Sequence, residues 1–174
     1  KISKSTDVVI AKNKIVGGGN GESAIDLVGA ARVVIDNNDI SDIPGIAIMI
    51  KGGSQNVNVT GNAITNTGGN AIEVGGYSNL RAYPLDFLES GKAFEAKNVL
   101  VAGNQISNTG NWSVRLLGAQ DVAIYRNEFQ GSDERIAIDA SAKFHDPWLS
   151  GNVLLSDNAI GSEQWLSVRS EVPG

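Results

Sequence analysis

The sequence predicts an all-β solenoid, a parallel β-helix of about six rungs, on the strength of two repeated phrases and the steps between them. The first phrase is an aliphatic alternation closing on an asparagine: Val8 to Ile15, Val33 to Ile40, Val57 to Ile64, Val99 to Ile106, Val122 to Phe129 and Val153 to Ile160. Its asparagines, Asn13, Asn38, Asn62, Asn104, Asn127 and Asn158, fall 25, 24, 42, 23 and 31 residues apart, the period of a coil carrying two insertions. The second phrase follows each asparagine about ten residues on: Ala24 to Leu27, Ala47 to Ile50, Ala71 to Val74, Ser113 to Leu116, Ala137 to Ala140 and, more loosely, Ser167 to Arg169.

Alternation with period two over such short stretches, bounded by Gly and Asn, signals strands with one buried face. A rung therefore reads as three strands: Val-x-Ile, a tight turn at the asparagine, x-Ile, a looser Gly/Asn turn, then Ala-Ile-x-Val and a Gly-rich bend. The asparagine suits the tight turn because it tolerates the left-handed region. Stacked at the strand spacing of roughly 4.8 Å, identical amides can also bond along the stack as a ladder. Helical spacing is confined to an ambiguous patch around Leu85 to Ala96, inside a long insertion at 77–96 that holds Tyr77, Arg81, Tyr83, Phe87 and Phe94.

Bulk properties set limits. The 174 residues, 41% apolar, suffice for one core, and no Pro- or Ser-rich linker divides them, so residues 1–174 read as a single domain. Six rungs would stand only about 29 Å tall, and no capping helix precedes Val8. A fragment or carboxy-terminal part of a longer β-helix is expected, or else an end-capping segment or partner, because exposed rungs offer unpaired strand edges. No apolar run approaches eighteen residues, which argues against a membrane span, and no secretion signal precedes the repeats. The absence of cysteine excludes disulfides and thiolate metal sites. Fourteen basic against nineteen acidic residues, a net −5, argue against nucleic acid as a partner.

Val-x-Ile-x-x-Asn-x-Ile followed by Gly and Ala-Ile-x-Val resembles the right-handed parallel β-helix repeat of the pectate-lyase-like superfamily, over nearly the whole chain from Val8 to about Arg169. The resemblance implies that the asparagine turn lies between the second and third strands. Ala-Ile-x-Val is then the first strand, which lines the carbohydrate groove in enzymatic members. It also implies an extracellular or periplasmic protein that binds a polysaccharide and cleaves it by lyase or hydrolase chemistry, or a non-catalytic carbohydrate-binding or structural module.

On that reading the outward residues of the first strand form one column: Asp26, Met49, Glu73, Arg115, Asp139 and Arg169. The corresponding residues of the Val-x-Ile strand, Val9, Val34, Asn58, Leu100, Ala123 and Leu154, are uncharged. Polar chemistry is thus expected on one sheet, with Glu73, Arg115 and Asp139 as candidate catalytic residues. Glu73 and Asp139, two rungs apart at about 9.6 Å, would suit an inverting pair of carboxylates. Arg115 would neutralise a uronate or act as base in a lyase. Lys51, Tyr77, Arg81, Tyr83, Trp112 and His145, the single histidine, are candidate substrate-binding residues, with the insertion either packing over the sheet or forming a wall beside the column, and with Trp112 offering a stacking face. No cofactor is expected. Calcium is the one candidate ion, and the sequence shows no clustered Asp pair to hold it.

Overall fold

The computed structural model describes residues 1–18, 23–76, 78–91, 94–131, 134–139, 150–160 and 166–169. Three parallel sheets run the length of the stack. Sheet 1 contains Ile2–Ser3, Ile25–Val28, Ile48–Lys51, Ile72–Gly75, Trp112–Leu117, Glu134–Asp139 and Leu166–Arg169. Sheet 2 contains Thr6–Ala11, Ala31–Asp36, Ser54–Thr60, Ala96–Ala102, Ala119–Tyr125 and Gly151–Ser156. Sheet 3 contains Lys14–Val16, Asp39–Ile43, Ala63–Thr67, Gln105–Thr109, Glu128–Gln130 and Ala159–Ile160. Each strand pairs with the strand one rung away, so the backbone ladders run along the stack and no sheet closes on itself.

Register sorts the side chains. Ile48, Ile72, Val114 and Ile136 align on the inner face of sheet 1. Val33, Val57, Val99 and Val122 align on sheet 2, and Ile40, Ile64, Ile106 and Phe129 on sheet 3. These columns meet in one buried aliphatic core. β-branched residues dominate because they lose little χ1 freedom on a pleated surface and fill the narrow lumen.

Between sheets 2 and 3 the asparagines form a continuous ladder. Each amide Nδ2 donates to the Oδ1 of the next rung at 2.9 Å, from Asn13 to Asn38, Asn62, Asn104, Asn127 and Asn158. The same Oδ1 accepts the preceding asparagine's backbone N–H. One expectation is corrected here: the asparagines are not themselves left-handed. The preceding residue is, at Lys12, Asn37, Gly61, Gly103, Arg126 and Asp157, with φ from 52° to 64°. That residue takes the corner, which leaves the asparagine amide free to turn into the stack.

The insertion folds into a 3-10 turn, Leu80–Ala82, and a short helix, Leu85–Glu89. It packs over the corner between sheets 1 and 2. A Cβ at Gly53 (φ +82°) would sit 3.0 Å from the Tyr83 ring and 3.2 Å from Phe87, so this corner admits only glycine beneath the insertion. Tyr83, Phe87 and Phe94 form a small separate core, with ring centroids 5.1 and 4.8 Å apart.

Candidate functional site

Strand pairing on sheet 1 sets two rows of positions in register: the first runs Asp26, Met49, Glu73, Arg115, Ala137, Ser167, and the second runs Val28, Lys51, Gly75, Leu117, Asp139, Arg169. The single column expected from sequence is thereby corrected. The backbone of Asp139 pairs with Leu117 rather than Arg115, and Arg169 follows it into the second row. Arg135-Ile136-Ala137-Ile138-Asp139 reads as a strand in either of two phases, and pairing of Trp112 with Glu134 selects the one that moves Asp139 two residues along. The backbones of Glu73 and Asp139 are then about 12 Å apart, two rungs up and two residues over. That exceeds the separation of about 6.5–9.5 Å that an inverting carboxylate pair needs.

Glu73 and Arg115 are brought together on adjacent rungs, with Nη1 3.7 Å from Oε2 and side-chain exposures of 25% for Arg115 and 7% for Glu73. Asn70, three residues before Glu73, donates its amide to Oε2 and accepts the Trp112 N–H at 3.3 Å. Asn70 thus ties the carboxylate to the start of the Arg115 strand. Sequence reasoning missed it because it lies in the turn before the strand, where Asn reads as turn chemistry alone. Lys51 reaches Asp26, Nζ to Oδ1 3.9 Å, with Asp26 11% exposed. The two pairs are neighbours: a Cβ at Gly76 would lie 3.5 Å from the Lys51 stem and 3.9 Å from Glu73 Oε1.

The remaining candidates divide. Trp112 opens the Arg115 strand and is half-buried. Arg81 is exposed on the 3-10 turn, its N–H donating to Asn79 Oδ1. Tyr83 is a correction: it is buried in the insertion's own core and offers no face to a ligand, because the insertion folds its aromatic residues down onto the glycine corner. Burial, reinforced by the neighbouring Glu95, pushes its phenol well above the usual range. Tyr77, His145 and the stretch 141–148 lie outside the described residues. Among the described residues no group of three or more His, Cys, Asp or Glu side chains is gathered as a metal site requires.

Glu95, an acid outside every repeated phrase, pins the insertion. It is buried, and its two oxygens accept the N–H of Gly52 at 3.0 Å and of Ser78 at 2.7 Å. Glu95→Ala removes both of these acceptors from a buried corner and is expected to cost about 2–4 kcal/mol. Limited proteolysis should then cut between Ser78 and Gly91 in the variant well before it cuts wild type, while the circular dichroism of the stack persists.

The three sheets and the asparagine ladder define a right-handed parallel β-helix. Residues 1–83, a little under half of the chain and reaching into the insertion, match the family described as right handed beta helix region. No curated protein and no solved structure matches the chain. No helix among the described residues is long and apolar enough to cross a membrane.

Proposed function

We propose that this β-helix binds a polysaccharide along the outer face of sheet 1, with Glu73 and Arg115 at the centre of the contact, and that it does so outside the cytoplasm. One observation carries the reading: ionic side chains are held half-desolvated on an outer face, where stacking does not call for them. Arg32 and Asp7 show what a ladder pair on the surface looks like here, since they are 58% and 65% exposed and joined by bonds of 2.6 and 2.7 Å. The Arg32 guanidinium holds the Asp7 carboxyl down at about 2. Glu73 and Arg115 are the reverse, withdrawn from water yet farther apart. Withdrawing charged groups from water costs several kcal/mol that the fold has no need to spend on an outer face, and such environments cluster at functional sites. The resemblance to carbohydrate-handling β-helices supports a glycan as the ligand.

Bond cleavage is the second reading. It is favoured by Glu73, a carboxyl shielded from solvent beside a cation, the setting in which catalytic acids and bases are tuned. Arg115→Ala is expected to lower glycan affinity about tenfold or more, since truncating one partner of a desolvated pair costs roughly 2–5 kcal/mol. Calorimetric titration with neutral and uronic oligosaccharides measures it. Circular dichroism should report an unchanged fold. Absorbance of unsaturated uronates and new reducing ends, read from the same mixtures, separate a lyase, a hydrolase and a binding module. Unaltered glycan affinity in the variant contradicts the assignment.

A further inference from the structure

We infer that Asp26 and Lys51 form a second subsite on the sheet 1 face, one that takes a hydroxyl of an uncharged sugar between carboxylate and ammonium; the inference rests on the glycan-binding reading above. Asp26 is buried by the stack, and its Oδ1 has no hydrogen-bond partner and almost no surface open to water, so a ligand reaches it when the Lys51 side chain, 28% exposed, swings aside. Lys51 Nζ stands 3.9 Å from Oδ1, and Lys1 Nζ stands 3.9 Å from Oδ2. Both distances are too long for a hydrogen bond. A buried carboxylate oxygen left unpaired is costly, and lysine has the rotatable stem to close the gap. Elsewhere the molecule does close such gaps, even at an exposed pair such as Arg32 and Asp7.

The gap has the chemistry of a hydroxyl. A hydroxyl group donates and accepts at once, so it can give its proton to Asp26 Oδ1 and take a bond from Lys51 Nζ, satisfying both groups. A carboxylate only accepts and leaves Oδ1 as it was. Charge points the same way. Asp26 and Glu73 face Lys51 and Arg115 across these two pairs, so a uronate entering here would meet two desolvated acids along with the cations. Asp26 and Glu73 sit on strands two rungs apart, about 9.6 Å along the stack. A sugar chain lying parallel to the stack axis would meet the subsites in succession.

The test is calorimetric titration of the full chain with xylo- and manno-oligosaccharides and, separately, with oligogalacturonates. Wild type should bind a neutral series more tightly than the galacturonates. Asp26→Ala and Lys51→Met should each weaken that binding about tenfold. The double variant should lose little beyond the worse single one, because both groups hold one hydroxyl. A galacturonate preference, or unchanged neutral-sugar affinity in both variants, overturns the subsite and leaves Glu73 and Arg115 as the glycan contact. If wild type binds neither series, both readings fall. Lys51→Met keeps the aliphatic stem and decides the question if Asp26→Ala does not fold.

Discussion

Ile72→Asp is expected to abolish folding, while Glu73→Ala one residue further on leaves a folded stack. Ile72 is fully buried and aligned between Ile48 and Val114 on the inner face of sheet 1. A carboxylate there has no partner and no water, and its cost exceeds about 5 kcal/mol, comparable with the whole stability of a domain. Connectivity makes the damage worse. In a solenoid each rung contacts only its neighbours, so breaking the third complete rung separates two shorter stacks with newly exposed ends. Far-ultraviolet circular dichroism and solubility of the two variants measure the contrast. Equal folding of both would mean that the inner and outer faces have been misassigned.

The second large effect is expected at Asn104. Its Nδ2 donates to Val59 O, Ala102 O and Asn127 Oδ1, and its Oδ1 accepts the N–H and the Nδ2 of Asn62, all out of contact with water. Asn104→Ala strands these groups in the interior and should cost about 3–5 kcal/mol. Asn13→Ala is the internal control. At the exposed first rung, Asn13 keeps water as an alternative partner, and the loss should stay near 1 kcal/mol. Urea denaturation of both variants gives the comparison through the midpoint at constant slope. A loss at Asn104 no larger than that at Asn13 would show that the ladder follows the fold rather than holding it.

The architecture was legible because a coiled stack repeats one physical problem in every rung. Aliphatics must enter the lumen at period two, and a side chain that can bond its own copies must stand at the corner, so Val-x-Ile-x-x-Asn-x-Ile recurs visibly. Phase was harder. Ile136 and Ile138 both suit the inner face, and only strand pairing, a property of two rungs together, tells which of them matches Ile72. That ambiguity put Asp139 beside Arg115 in the sequence reading and two residues away from it in the structure. The insertion followed no repeat. Its aromatic composition fitted a groove wall or a private core, and Gly53, which leaves room for that core, reads in the sequence as an ordinary bend residue, although Tyr83 and Phe87 lie against it. Glu73 and Arg115 were found because outward positions follow directly from the alternation. Asn70 and Glu95 act from turns, where the alternation says nothing.

The most direct test is a crystal structure of the chain with the oligosaccharide that binds it most tightly. Sugar density lying along sheet 1, within hydrogen-bond distance of Glu73 and Arg115, is the predicted result. Density seated instead on the outer face of sheet 2 or sheet 3, with these two side chains untouched, would contradict the account.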